Sequence, residues 1–149
     1  MKNKLKLVDI NEENWNDYVS LHPGDEGANY VASNAYSLAQ ACFEKTWIVK
    51  GITHNDIPIG FTMYGLDHDL GTYELCRLMI SHKLQNQGFG HHVLPLIIDE
   101  ILNKWQPDEI YLSTDPKNEK AIHLYEKHGF KKTGEISYGE AVFSRPTKH

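Results

Sequence analysis

Leu84-Gln85-Asn86-Gln87-Gly88-Phe89-Gly90 stands between a run that reads as a strand, residues 72–81, and a helical stripe. The stripe is Leu94, Ile97, Ile98, Ile101 and Leu102, apolar side chains that recur on one face of a helix ending at Asn103. A glycine-punctuated turn at that place offers unpaired N–H groups and the positive end of a helix dipole, so it favours an anion. Its glycines let the backbone approach a phosphate with no Cβ in the way. The P-loop pattern G-x-x-x-x-G-K-[ST] and the full dinucleotide fingerprint G-x-G-x-x-G are both missing. A tight strand-to-helix connection without a ligand accounts for the same residues.

Working outward, residues 5–10 partly alternate and read as a first strand. Asn11 can cap a helix whose apolar side is Trp15, Tyr18 and Val19, and residues 23–27 are a loop by their turn residues. Over residues 29–44, Val31, Ala35, Leu38, Ala39 and Cys42 recur at helical spacing. Strands over 46–52 and 57–66 flank a turn at His54-Asn55-Asp56, and a second turn at 68–71 precedes the strand before the glycines. Pro95 lacks an N–H and so belongs in a first turn or causes a kink. A connector at 105–108 leads to a strand over 109–114. Asn118 then caps a helix to His128, with Gly129 just past its end. Residues 130–137 and 140–144 form a closing hairpin around Tyr138-Gly139. The order β-α-α-β-β-β-α-β-α-β-β is a single mixed domain, α/β or α+β, rather than a doubly wound fold.

Composition narrows the function. The 149 residues suit one domain, and a 40 % hydrophobic share supports a core. No apolar run approaches membrane-spanning length, and no apolar h-region follows the basic start, so neither a membrane helix nor a secretory signal is expected. Two cysteines, Cys42 and Cys76, form no C-x-x-C pair, which points to a reducing cytoplasm and no cysteine metal site. Nine histidines invite a metal reading, but His91-His92 are adjacent, His123 and His128 miss the i, i+4 spacing, and no H-E-x-x-H occurs, so no metal is expected. A net charge of −5 argues against nucleic acid as a partner and suits either plain solubility or a cationic small substrate.

Gln85-x-x-Gly88-x-Gly90, followed by a strand and then Asn118…Ala121…Leu124-Tyr125…Gly129-Phe130, resembles the GNAT superfamily of acetyl-CoA-dependent N-acetyltransferases. The element order matches that fold over nearly the whole chain. The resemblance implies a GNAT-like single domain over residues 1–149. Its central sheet is mixed and mostly antiparallel, with about seven strands and about four flanking helices, splayed between the fourth and fifth strands. Within the superfamily, Asn29-Tyr30-Val31-Ala32-Ser33-Asn34-Ala35-Tyr36, Gly60-Phe61-Thr62-Met63-Tyr64, Arg77-Leu78-Met79-Ile80 and the tail Gly134-Glu135…Gly139-Glu140 look like bacterial diamine and spermine/spermidine acetyltransferases. That closer likeness implies a polyamine acceptor and suggests a homodimer. An aminoglycoside-type drug, an amino acid, a protein N-terminus, or a non-catalytic acyl-CoA-binding module are the alternatives.

The resemblance carries roles onto individual residues. Acetyl-CoA would be co-substrate. Leu78, Met79 and Ile80 would offer a free strand edge to its pantetheine arm. Gln85, Asn86, Gln87, Gly88, Phe89, Gly90 and His91 would face the pyrophosphate, and Asn118 would lie beside the arm as well as cap its helix. Lys83 and His92 are either phosphate neighbours or solvated surface. Tyr125 would donate to the departing thiolate as general acid, since a phenol stays protonated at neutral pH. Glu74 is a candidate base, placed by strict alternation on one strand face with Cys76, Leu78 and Ile80. Glu26, Asp67 and Asp69 are candidate carboxylates for the distal ammonium groups of a polyamine. Tyr30, Tyr36 and Tyr64 either line the groove or pack in the core.

Overall fold

The computed structural model describes residues 4–147. Seven strands form one sheet in the order β1-β2-β3-β4-β5-β7-β6. They are β1 (Leu5–Asp9), β2 (Trp47–His54), β3 (Ile57–Asp67), β4 (Thr72–Ile80), β5 (Glu109–Thr114), β6 (Lys131–Ser137) and β7 (Glu140–Pro146). All neighbours are antiparallel except β4 and β5, which run parallel. The helices are α1 (Trp15–Val19), α2 (Gly24–Gly27), α3 (Asn34–Phe43), α4 (Phe89–Trp105) and α5 (Glu119–Lys127). The expected mixed, mostly antiparallel sheet is therefore present. Residues 23–27 are a single helical turn rather than a loop, which brings the helices to five. Among the described residues, no helix is long and apolar enough to cross a membrane.

Turn chemistry fixes the hairpins. Asn55 and Asp56 have φ of 53° and 66°, and Tyr138 and Gly139 have φ of 49° and 81°. Two consecutive positive φ values make the tight turn whose twist matches the strands it joins.

Two cores lie on opposite faces of the sheet. On one, Val93, Leu94, Ile97 and Ile101 of α4 are fully buried against Ile52, Tyr64, Leu75, Ile110 and Phe143. Each such side chain contributes roughly 1.5–3 kcal/mol of burial. Pro95 sits on the exposed side of α4, so the hydrogen bond it cannot donate is missing where water replaces it. The helix runs on through it and takes in Trp105, expected in the connector. On the other face, Tyr18, Trp47, Phe61, Met63 and Met79 pack under α1 and α3.

Helix α3 turns a different side to the sheet than its apolar spacing predicts. Asn34 and Ser37 are buried, Leu38 and Ala41 partly so, while Ala35, Ala39 and Cys42 are exposed. Hydrogen bonding decides this. Asn34 Nδ2 donates to Tyr18 O at 2.8 Å, Ser37 Oγ to Ser33 O at 3.1 Å, and Arg77 Nη1 of β4 to Gln40 Oε1 at 2.7 Å. With their polarity satisfied, small polar side chains can face the sheet. The helix starts at Asn34 because Ser33 Oγ accepts from Tyr36 N–H as its N-cap.

Gly51 of β2 lies directly under the buried Tyr18 ring, and a Cβ there would run into it. Gly51→Ala is expected to lower stability by about 2 kcal/mol through overpacking. A thermal melt checks this, and Tyr18→Leu in the same background should recover part of the loss.

Candidate active site

The site begins with an irregularity in β4. Along β3, Met63 pairs with Arg77 but Tyr64 pairs with Leu75, so Cys76 is an extra residue. A bulge places two successive side chains on one face. Leu75 belongs to the core under α4, Cys76 and Met79 to the core under α3, and Leu78 and Ile80 again to the α4 side. Arg77 also points to the α3 side, where it meets Gln40 and stacks 5.7 Å over the Tyr36 ring. Strict alternation is thus corrected: Glu74 and Cys76 do not share a face with Leu78 and Ile80.

The bulge also opens the sheet. β4 and β5 pair only at Glu74 and Tyr111, and from there they diverge. Leu78, Met79 and Ile80 keep their β3 partners, Thr62, Phe61 and Gly60, but have no partner on the β5 side. Two cavities occupy the gap. One, about 310 Å³, is bordered by Leu78, Met79, Ile80, Gln85, Asn86 and Gly90, with α5 and residues 23–31 opposite. The other, about 230 Å³, is bordered by Glu74, Cys76, Arg77, Ser113, Thr114 and Glu140. Tyr30, Val31, Leu78, Asn118, Ala121 and Tyr125 line both.

The glycine turn closes one end of the larger cavity. Asn86 and Gly88 take φ of 66° and 83°, and Gly88 is the N-cap of α4. No acceptor among the described residues takes the N–H groups of residues 86–91. That fan, at the positive end of a 17-residue helix, suits a pyrophosphate. Gln85 serves the turn differently. Its Nε2 donates to Pro23 O at 2.9 Å and Ile80 O at 3.0 Å, and its own N–H is bonded to His82 O. Gln85 therefore braces the turn to the end of β4. Phe89 packs edge-on against His54, its ring centroid 5.0 Å away, and neither it nor Gln87 or His91 lines either cavity. Lys83 and His92 are exposed.

Asn118 Oδ1 accepts from Ala121 N–H at 3.4 Å, so it caps α5, and the residue borders both cavities. Two helical turns on, the Tyr125 ring packs edge-to-face on Phe130, 5.9 Å between centroids. Its hydroxyl has no partner among the described residues. Burial pushes its pKa up to about 12. Glu74 is pushed up to about 7, by burial first. The Thr72 hydroxyl donates to it at 2.8 Å and pulls the other way, while the Asp67 carboxylate beside it adds to the rise. Burial raises Cys76 to about 11, so its thiol stays protonated.

The acidic residues separate. Glu26 is exposed and borders the larger cavity, not the one with Glu74. Asp67 accepts from the N–H groups of Asp69 and Leu70 and faces Glu74, but Asp67 and Asp69 line neither cavity. Of the tyrosines, Tyr30 lines the groove, Tyr36 stacks on Arg77 outside it, and Tyr64 is buried with its hydroxyl donating to Glu100. Sequence reasoning quoted Glu140 within the tail motif but gave it no role in the site. It is the first residue of β7, it borders the smaller cavity, and Ser113 Oγ donates to its Oε1 at 2.9 Å. The Tyr138-Gly139 turn marks the start of β7, and the pairing of β7 with β5, Thr114 opposite Ala141, brings Glu140 beside the end of β5. Among the described residues, no group of three or more His, Cys, Asp or Glu side chains could hold a metal ion.

The acetyltransferase (GNAT) family model matches residues 7–130. The chain belongs to the GNAT family of acetyltransferases. Acetyl-CoA is its co-substrate. The chain is 29 % identical to the spermine/spermidine N(1)-acetyltransferase of Bacillus subtilis (strain 168) over 145 residues, covering 93 % of this chain and 95 % of that enzyme. Its fold is like that of a spermidine N-acetyltransferase from Vibrio cholerae in complex with CoA and spermine, with a TM-score of 0.73 and 18 % identity over 95 % of this chain and 94 % of that one. It is also like that of an aminoglycoside acetyltransferase in complex with coenzyme A and kanamycin, with a TM-score of 0.78 and 15 % identity over 96 % of this chain and 95 % of that one.

Glu74 carries a stability consequence. Between its ordinary pKa of 4.5 and about 7, the folded chain holds a proton that the unfolded chain has lost. Its contribution to stability therefore falls as pH rises through that window. Glu74→Gln is expected to raise the melting temperature at pH 8 and leave it nearly unchanged at pH 4.5, as scanning calorimetry at the two pH values would record.

Proposed function

We propose that this acetyltransferase moves an acetyl group directly from acetyl-CoA to a primary amine of a polyamine such as spermine or spermidine. The observation that carries the reading is the Tyr125 hydroxyl, unpartnered where the two cavities join. On one side of it lie the N–H fan of residues 86–91 and the open edge of Leu78–Ile80 residues. On the other lie two carboxylates, Glu74 and Glu140. The donor supplies a thioester, and the chain supplies position, charge and protons.

Each residue has a step. The open β4 edge takes the pantetheine arm as a borrowed strand partner, and an N–H there meets charge developing on the carbonyl oxygen. The N–H groups of residues 86–91, with Asn118 along the arm, fix the donor. Glu74, at about 7, is partly ionised at neutral pH and takes a proton from the attacking ammonium, directly or through water. Tyr125, at about 12, holds its proton throughout and hydrogen-bonds to the thiolate as the bond to sulfur breaks. Full transfer from so weak an acid is uphill, so its first contribution is a strong donor bond, completed as the thiol forms.

The polyamine assignment rests on charge and on the Bacillus relative. Glu140 keeps one oxygen clear of Ser113, and Glu74 stands with Asp67 behind it. Two carboxylates bordering one small chamber suit an acceptor with more than one ammonium group. Glu26 extends negative charge toward the other cavity. The unpaired Cys42 and Cys76 suit a cytosolic enzyme, and a homodimer is part of the same reading.

Thiol release from acetyl-CoA, measured against spermine, spermidine, putrescine, lysine, kanamycin and a short peptide, tests the acceptor. Spermine or spermidine should turn over fastest, and turnover of kanamycin or peptide alone would overturn the assignment. Tyr125→Phe should lower kcat about 100-fold or more with acetyl-CoA binding retained. kcat/KM should rise with pH through about 7 as Glu74 loses its proton, and Glu74→Gln should remove that limb. Glu140→Gln should raise KM for spermine about five-fold and leave a monoamine almost unaffected, since only an ammonium would be missing its partner.

A further inference from the structure

Helices α4 and α5 meet at two places next to the glycine turn. A Cβ on Gly90 would sit 3.2 Å from Leu124 Cδ2. One residue on, His91 Nδ1 lies 3.2 Å from His128 Nε2, with the rings 5.4 Å apart and inclined at 33°. Nothing in the proposed chemistry uses either imidazole. His128 is anchored from behind: its N–H donates to Tyr125 O at 3.0 Å, and its carbonyl accepts from Arg145 Nε at 2.9 Å. The imidazole contact therefore joins the first turn of α4, whose N–H groups are unpaired, to the turn of α5 that carries Tyr125.

We propose that His128 is a positioning residue for the acyl donor: through its hydrogen bond to His91 it holds the N–H fan of residues 86–91 against the helix of Tyr125. The inference rests on the reading of the larger cavity as the acetyl-CoA site.

Hydrogen-bond chemistry supports it. With both rings neutral, one nitrogen donates and the other accepts. With one ring charged, the same bond is charge-assisted and stronger. Burial first, then His91 from α4, Arg145 from β7 and Lys127 from its own helix hold the His128 pKa below the ordinary histidine value. On the α4 side, the His91 ring is bonded to His128 alone among the described residues.

Calorimetric titration of the full chain with acetyl-CoA at about pH 8 tests this on wild type, His128→Ala and His128→Gln. A glutamine amide reaches from the same place as Nε2 and can donate or accept, but it does not titrate. His128→Ala should weaken binding about five-fold at pH 8, while His128→Gln stays near wild type there. Equal affinity of all three proteins, or a loss in His128→Gln as large as in His128→Ala, would overturn the positioning role. Failure of wild type to bind acetyl-CoA at all would instead overturn the cavity assignment, and this inference with it.

Discussion

One extra residue in β4 governs the rest of the molecule. The bulge at Cys76 bends and twists the strand, so its first half can pair with β5 at Glu74 while its second half cannot. An unpaired strand edge inside a sheet would ordinarily be a fault, because its N–H and C=O groups go unsatisfied. Here the gap is the site. The two cavities exist because two strands that share a sheet part company, and α5 stands over the opening they leave. The same bulge puts Cys76 and Arg77 on one face, which lets Arg77 reach Gln40 and Tyr36 and tie α3 to the strand.

The two ends of the gap are built on different principles. At the glycine turn the attraction comes from the backbone, through unpaired N–H groups and a helix dipole, and side chains only brace it. Gln85 spends both amide hydrogens holding Pro23 and Ile80. At the other end the charges are side chains, Glu74 and Glu140, held by single hydroxyl donors from Thr72 and Ser113. A backbone site tolerates change in side-chain identity, whereas a carboxylate site is retuned by one substitution.

What the sequence disclosed follows from locality. The turn at Gln85 to Gly90, the Asn118 cap and Tyr125 each lie within one or two turns of their own signal, and the splay came with the resemblance that those residues carry. The face switch at Cys76 had no such signal. Tyr-Glu-Leu-Cys-Arg-Leu contains neither glycine nor proline, and the extra residue is defined only by the register of β3. Helix α3 misled for a related reason: its apolar spacing was real, but Asn34, Ser37 and Arg77 form hydrogen bonds that spacing does not encode. Glu140 depended on how two hairpin strands register against β5, and the scatter of the acidic loop residues, with Asp69 outside both cavities, depended on where the loops run.

Burial along the gap works on two acids in opposite senses. Both Glu74 and Tyr125 are pushed up by desolvation. For a carboxyl group the rise ends near neutrality, which turns a spectator anion into a group that can accept and release a proton at working pH. For a phenol the rise carries it further from neutrality, so Tyr125 keeps its proton and is secured as a donor. Loss of water, the largest effect on both, thus leaves one oxygen acid near neutrality and the other firmly protonated. The cost is borne by the fold: a carboxylate kept half-dry destabilises the chain above the pH where it ionises. Filling the chamber with an ammonium group would relieve part of that cost, because the charge Glu74 carries would then be paired. With the acceptor's ammonium paired to Glu74 as proposed, its binding and the stability of the chain would be coupled through one carboxylate, and the coupling would vanish when that carboxylate is replaced by an amide.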